Sequence, residues 1–163
     1  MSPNAALALA DEPRATTSSS PSSVTVPSEV LGELAVPADS VLTFPTGLFG
    51  FPECRRFALV PAGRDGLYWL QSLEHSTLAF LLADPFQFFR GYAVELTAGD
   101  RLELGAQGAA DVAILAIVTL PQGRGTQPTA NLQGPLALNL RAGIGRQLAI
   151  ANGDWGVRCA FEP

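Results

Sequence analysis

The sequence has no lysine, one histidine (His75) and two cysteines (Cys54 and Cys159). All ten of its cationic side chains are arginines, and charged residues make up only 15 % of the chain, against a typical quarter. The net charge is -5, so the chain lacks the clustered cations that contacts with phosphate groups require. This balance argues against direct binding of nucleic acid and suits a basic protein partner.

The scarcity of cysteine and histidine limits the chemistry that the chain can perform. Two cysteines allow one disulfide at most, which is too few for a secreted disulfide scaffold. A zinc site needs three or four ligands, and with one histidine and scattered carboxylates the sequence predicts no metal site and no cofactor.

Cys54 and His75 are the one cysteine–histidine pair that could act as a nucleophile and its base, and they lie in different segments. No nucleophile motif surrounds Cys54, so we interpret it as a packed or surface thiol and His75 as a solvated turn residue. The sequence therefore predicts a protein that is not an enzyme. A thiol enzyme that uses this pair is kept as an alternative.

Long hydrophobic runs are also missing. No apolar run approaches the ~20 residues that a membrane-spanning helix needs, and the short ALALA stretch at 6–10 has no preceding cation. The sequence thus predicts a cytoplasmic protein with no membrane association. Apolar residues nevertheless form 47 % of the chain, which is enough for one domain with a substantial core.

The amino-terminal region differs in composition from the rest. Residues 1–28 are rich in Ser, Pro, Thr and Ala and show no apolar period, so we expect a disordered tail there. Residues 29–163 form the predicted domain.

Short apolar runs separated by Gly and Pro fill that domain and indicate β-strands. The predicted strands are ELAV (33–36), SVLTF (40–44), FALVP (57–61), LYWLQSL (67–73), LAFLLAD (78–84), YAVEL (92–96), VAILAIVTL (112–120), PLALNL (135–140) and GRQLAIA (145–151). The first two are expected to pair as a hairpin across residues 37–39. Many short strands with such turns predict an all-β, mostly antiparallel, barrel-like fold.

Two short segments carry helix signals instead. PFQFF (85–89) has Asp84 in the N-cap position and Pro85 in the first helical position. TAGDRLELGA (97–106) contains a glycine, Gly105, at the point where a helix would end. The fold is therefore predicted to contain one or two short helices.

Aromatic residues concentrate in predicted turns, where they would form the anchors of a protein interface if they are exposed. The first candidate patch is the turn FPTGLFGF at 44–51, and the second surrounds the helix signal at 84–92. The candidate partner-binding residues are Phe44, Pro45, Gly47, Leu48, Phe49, Phe51, Asp84, Pro85, Phe86, Tyr92 and Asn131. For Asn131, the pinning of a loop by its amide is an equally open interpretation.

Seven sequence blocks occur in an order and spacing that resemble a known family. They are FPTGLFGF (44–51), LQSLE (70–74), LAFLLADPF (78–86), Tyr92, DVAILAIVTL (111–120), TANLQGPLALN (129–139) and RQLAIA (146–151). On these blocks the chain resembles the flagellar assembly factor FliW from about residue 33 to about residue 161.

The resemblance implies a small β-barrel-like fold and a cytoplasmic, non-enzymatic regulator with protein partners. Separately from the resemblance, we expect a monomer. Those partners would be flagellin and the translational repressor CsrA, and the protein would bind one or the other by turns. Secretion of flagellin would free the protein to bind CsrA and so relieve repression of flagellin mRNA translation. The alternative kept beside this one is a barrel that binds a small molecule in its interior.

Overall fold

A computed structural model of the chain describes residues 4–7, 22–151 and 153–163. The strands are β1 (Ser23–Val26), β2 (Leu34–Pro37), β3 (Val41–Thr43), β4 (Arg56–Pro61), β5 (Leu67–Ser72), β6 (Ala79–Ala83), β7 (Ala113–Thr119), β8 (Thr129–Ala130), β9 (Leu136–Asn139), β10 (Ile144–Gln147) and β11 (Cys159–Ala160). The α-helices are α1 (Pro85–Phe88) and α2 (Ala98–Leu104), and single 3₁₀ turns cover Ala5–Leu7, Ala38–Ser40 and Ala109–Asp111. Among these described residues, no helix is long and apolar enough to cross a bilayer.

Seven strands close into a barrel, which confirms the predicted fold class. The order runs β7, β6, β5, β4, β3, β10, β9 and returns to β7. Neighbouring strands are antiparallel except β3 and β10, which are parallel and share the single register pair Thr43 and Ile144. β8 and β11 extend the sheet beyond β7, whereas β1 and β2 form a separate antiparallel pair.

Alternate residues of the central strands supply two apolar clusters. Along β7, Ala113 and Leu115 face the barrel interior, while Ile114, Ala116 and Val118 pack into a second cluster outside it. Both faces are therefore buried, which explains the continuous apolar run of this strand. The interior is filled by side chains that include Leu42, Phe44, Phe57, Leu70, Leu82, Leu136 and Leu138.

Both predicted helices are confirmed, together with the local signals that define them. Asp84 caps α1 by accepting the Phe86 N–H at 3.0 Å, and Pro85 is the first helical residue. α2 begins with a reciprocal capping box: Thr97 Oγ1 accepts the Asp100 N–H at 3.0 Å, and Asp100 Oδ2 accepts the Thr97 N–H at 2.9 Å. Gly105 ends α2 in the left-handed conformation at φ 63°.

The predicted hairpin of 33–36 with 40–44 is wrong. β2 pairs with β1, and β3 pairs with β4. The reason is packing, because Val26 and Val36 form a small cluster with Ala58 of β4. The segment 92–96, also predicted as a strand, alternates in burial as expected but is not part of a strand.

The predicted tail boundary at residue 28 lies too far along the chain. β1 belongs to the described fold, since Val26 is fully buried against β2 and β4. Asn4 also docks: its amide donates to Ile114 O and accepts the Ile114 N–H, both at 2.8 Å. The pairing of β6 with β7 ends at Ala116, so β6 does not reach the Ile114 backbone groups. The Asn4 side chain forms the hydrogen bonds that a neighbouring strand would otherwise form there. Residues 1–3 and 8–21 of the predicted tail lie outside the described residues.

The barrel closes where Phe44, next after β3, packs against a glycine of β10. A Cβ atom built on Gly145 would lie 2.4 Å from Phe44 Cζ and 2.6 Å from Phe44 Cε1. The Phe44 ring is fully buried and stacks edge-on against Phe57, with the ring centroids 5.3 Å apart. The absence of a side chain at position 145 is what lets the two strands meet with this ring between them.

We expect Gly145→Ala to lower the free energy of unfolding by about 1–3 kcal/mol, because its methyl group would overlap the Phe44 ring. Urea titration measures the change. Gly99→Ala in α2 is the matched control, because its Cβ would meet only Thr97 Oγ1 at 3.7 Å. The control variant should equal or exceed the parent in stability. Equal stability of the two variants would contradict the packing role of Gly145.

Candidate protein-interaction surface

The loop of residues 44–54 between β3 and β4 presents one aromatic side chain to solvent. Leu48 and Phe51 face each other across a tight turn, with the Phe51 N–H donating to Leu48 O at 2.8 Å. Phe49 and Gly50 form the centre of this turn, and Gly50 has φ 85°. Phe49 is 60 % exposed, so it projects from the surface.

The other apolar residues of this loop belong to the core. Phe44 and Leu48 are buried, and Phe51 is half-buried with its ring 5.5 Å from that of Phe80. Their side chains are therefore not free to contact a partner, contrary to the expectation for Phe44 and Leu48. Pro45 is exposed.

The shape of the loop depends on Gly47. Its φ is 67°, and a Cβ atom there would lie 2.6 Å from Phe51 O and 2.6 Å from Pro52 Cα. Gly47 is itself buried, so it shapes the loop from inside and offers little surface to a partner.

A buried glutamine of β10 links this loop to a second one. Gln147 Oε1 accepts the Phe49 N–H at 2.8 Å, and Gln147 Nε2 donates to Gly134 O at 2.9 Å. Both ends of one amide are therefore occupied by backbone groups of different loops. Gln147 holds the exposed phenylalanine at a defined distance from the loop 131–134.

Asn131 pins that second loop, as one of its two interpretations predicted. Its Oδ1 accepts the N–H groups of Gln133 at 3.1 Å and Gly134 at 2.9 Å. The Gln133 side chain in turn donates to Trp155 O at 2.9 Å, which ties the loop to the carboxy-terminal segment. The described contacts of Asn131 are thus structural.

The second candidate patch is largely internal. Asp84 and Pro85 are buried, Phe86 is half-buried, and Tyr92 is only 6 % exposed. The Tyr92 hydroxyl donates to Leu132 O at 2.9 Å, and its ring packs against those of Phe86 and Trp155. The expectation that this patch forms exposed anchors is therefore wrong for Asp84, Pro85 and Tyr92. A buried hydrogen-bond partner and ring contacts fix Tyr92 in the core.

Burial also raises the pKa values of two of these side chains, Asp84 and Tyr92. It raises the pKa of Asp84, although hydrogen bonds from Phe86, Asn4 and Gln87 act in the opposite direction. Burial, with a smaller contribution from Cys159, raises the pKa of Tyr92 from 10.0 to about 12. Both shifts reflect positions inside the protein, not a reactive surface.

Beside Tyr92 lies an open groove of about 700 Å³. One wall is the segment 92–97, which is not part of a strand, and the other is 148–151 with Trp155. Arg146 also lines the groove and forms ion pairs with Asp100, at 3.6 Å, and with Glu103. Glu95 is exposed in the wall 92–97, and the groove is lined by both polar and apolar side chains.

Phe49 and this groove together form the candidate interaction surface, with Gln147 and the loop 131–134 between them. Apart from Phe49, Tyr92 and Asn131, the residues of this surface were not among the sequence-based candidates, and Gln147 and Trp155 are two of those missed. A glutamine within the otherwise apolar run RQLAIA is a signal that could have indicated a buried amide with backbone partners. Trp155 stands in a glycine-rich stretch that gives no such signal.

The buried hydroxyl of Tyr92 predicts a pH-dependent contribution to stability. Because folding raises its pKa from 10.0 to about 12, the contribution is complete below pH 10 and is lost as the pH rises through 12. We expect Tyr92→Phe to be less stable than the parent by about 1 kcal/mol below pH 10. The difference should shrink between pH 10 and pH 12. Urea titrations across this range measure it, and a difference independent of pH would contradict the assignment.

Comparison with known proteins assigns the fold and the sequence to the same family. The family model described as "FliW protein" matches residues 25–161. The "Flagellar assembly factor FliW" of Moorella thermoacetica is 37 % identical over 128 residues, covering 78 % of this chain and 81 % of that protein. The protein of the same name from Natranaerobius thermophilus is 34 % identical over 125 residues, covering 76 % and 83 %.

A solved structure agrees with these relatives. The "Crystal structure of the flagellar assembly factor FliW" superimposes with a TM-score of 0.77 at 26 % identity, covering 86 % of this chain and 98 % of that one. The family model spans most of the chain and includes every strand of the barrel, so this chain belongs to the FliW family.

Proposed function

We propose that this protein is a flagellar assembly factor that acts by binding two proteins, flagellin and CsrA, in exchange for one another. While flagellin is abundant in the cytoplasm, it occupies the protein. Secretion of flagellin then frees the protein to bind CsrA and relieve repression of flagellin mRNA translation. The observation that carries this proposal is membership of a family whose members are named for flagellar assembly.

The surface supports a binding role. Phe49 is an exposed aromatic side chain on a loop whose shape Gly47 permits and whose backbone Gln147 holds, so little backbone entropy is lost when a partner covers it. The adjacent groove offers both polar and apolar side chains for contact with a partner. A repressor that holds RNA must present cations, and a net charge of -5 on this chain complements it.

The packing of the barrel interior argues against the alternative hypothesis, that the barrel binds a small molecule inside it. The interior positions of β3 to β10 are filled by leucine and phenylalanine side chains, with Phe44, Phe57 and Leu70 fully buried among them. A ligand there would have to displace close-packed side chains at a high cost in free energy.

A competition titration tests the proposal. Purified protein is first saturated with fluorescently labelled CsrA from the same host, and flagellin is then added. We expect each partner to bind alone and flagellin to release CsrA. The proposal is wrong if a well-folded sample, verified by circular dichroism and thermal unfolding, binds neither protein.

We also predict that Phe49→Ala weakens the binding of at least one partner by about 1 kcal/mol or more, because an exposed aromatic anchor loses its buried contact area. Its unfolding free energy should stay within about 0.5 kcal/mol of the parent, since the side chain is 60 % exposed. Calorimetric titration and urea unfolding measure the two quantities.

The control for this substitution is Leu102→Ala. Leu102 lies on α2 and is 82 % exposed, so it is an even more accessible apolar side chain outside the candidate surface. Its replacement should leave both affinities unchanged. Equal losses in the two variants, or none with Phe49→Ala for either partner, would remove Phe49 from the binding surface.

A further inference from the structure

The fold brings together a carboxylate, a thiol and an imidazole that come from two separate segments of the chain. Glu53 and Cys54 lie at the end of the loop 44–54, and His75 lies in the turn between β5 and β6. One carboxylate oxygen of Glu53, the sulfur of Cys54 and one imidazole nitrogen of His75 all lie within 4.8 Å of one another. The sequence predicted no such cluster, because 20 residues separate Cys54 from His75.

The backbone around this cluster is held by an independent set of hydrogen bonds. Ser72 Oγ accepts the N–H groups of Glu74 and His75, each at 3.1 Å, and the Gln71 amide donates to His75 O at 3.2 Å. The Glu74 carboxylate accepts the Arg56 N–H at 3.1 and 3.2 Å, which joins the turn to β4. The two segments that carry the cluster are therefore aligned before any ligand binds.

The surroundings of the sulfur do not suit a nucleophile. Burial, and then the neighbouring carboxylates of Glu53 and Glu74, raise the pKa of Cys54, so the thiol remains protonated near neutral pH. A catalytic thiol needs the opposite environment, with a cation that stabilises the thiolate. The raised pKa of Cys54 therefore argues against the alternative of a thiol enzyme, although His75 lies nearby.

The same surroundings suit a bound cation. Thiolate, imidazole and carboxylate are the three ligand types that zinc takes in proteins, and three protein ligands plus water make a common tetrahedral set. A cation here would also offset the negative charge of Glu53 and Glu74.

We propose that Glu53, Cys54 and His75 bind one zinc ion, with water as the fourth ligand. On binding, a bond forms between zinc and Cys54 Sγ, and the thiol proton passes to solvent. Glu53 and His75 are exposed, so an ion reaches them first from solution.

The distances allow this with small side-chain rotations. Tetrahedral zinc places a sulfur and a nitrogen or oxygen ligand about 3.5 Å apart. Cys54 Sγ is now 4.0 Å from Glu53 Oε1, and all three atoms lie within 4.8 Å. The exposed side chains of Glu53 and His75 supply the remaining movement, of at most about 1.3 Å (4.8 Å less about 3.5 Å), while the buried Cys54 remains in place.

Zinc bound in this way would crosslink the loop that presents Phe49 to the turn that follows β5. The crosslink joins two segments that already meet where the Glu74 carboxylate accepts the Arg56 N–H and the Leu73 N–H donates to Arg56 O. We therefore expect zinc to stabilise the folded protein.

The test uses the full chain without a histidine tag, freed of metal by chelator, and titrated with Co²⁺ as a spectroscopic substitute for zinc. We expect one Co²⁺ per chain and a cobalt–thiolate charge-transfer absorption in the near ultraviolet, abolished when Zn²⁺ is added. Cys54→Ser should remove the absorption, and His75→Ala should weaken metal binding at least tenfold.

The chain supplies a matched control in its second cysteine. Cys159 is half-buried and lies outside the cluster, so Cys159→Ser should bind Co²⁺ like the parent. If Cys54→Ser fails to fold, the exposed His75→Ala variant still decides the question. In that variant, Zn²⁺ should no longer raise the melting temperature as it does in the parent.

Three results would each overturn the proposal. One is the absence of a thiolate absorption in the parent protein at stoichiometric Co²⁺. Another is loss of that absorption in Cys159→Ser, which would place the metal at the other cysteine. The third is unchanged affinity in His75→Ala, which would show that the histidine does not bind the ion.

Discussion

The contact between Phe44 and Gly145 is the constraint on which the barrel depends. Six of the seven strand contacts in the ring are antiparallel, and the seventh, between β3 and β10, is parallel with one register pair. So short a strand contact supplies few backbone hydrogen bonds, and side-chain packing must hold the two strands together. The buried Phe44 ring provides that packing only because position 145 has no side chain.

Strand β10 connects this closure to the candidate interaction surface within three residues. Gly145 accommodates the core ring, Arg146 pairs with the carboxylates of Asp100 and Glu103 beside the groove, and Gln147 holds the Phe49 loop. Gly145 and Gln147 are buried and Arg146 between them is only partly so, which reflects the twofold period of a strand. Core packing and surface geometry are therefore coupled through one short element, and a shift of β10 would move the loop.

The aromatic residues of this protein show that residue type alone does not predict whether a side chain is buried or exposed. Tyr92 and Phe49 both stand in turns rich in Gly and Pro, yet one is 6 % exposed and the other 60 %. The difference arises from distant partners: Leu132 accepts the Tyr92 hydroxyl and Trp155 packs on its ring, whereas Phe49 is held through its backbone N–H alone. A turn with a fixed backbone and a free ring is what a binding surface needs.

The sequence by itself determined the all-β class, the positions of most strands, the two helices and the family. These follow from local physics: apolar periodicity, the N-cap at Asp84, the left-handed glycine at Gly105, and blocks of residues in a set order. Only the tertiary structure decided that β2 pairs with β1, that Tyr92 is buried and Phe49 exposed, and that Cys54 meets His75 and Glu53. Each of these depends on residues that are distant along the chain, and such contacts leave no periodic or capping signal in the sequence.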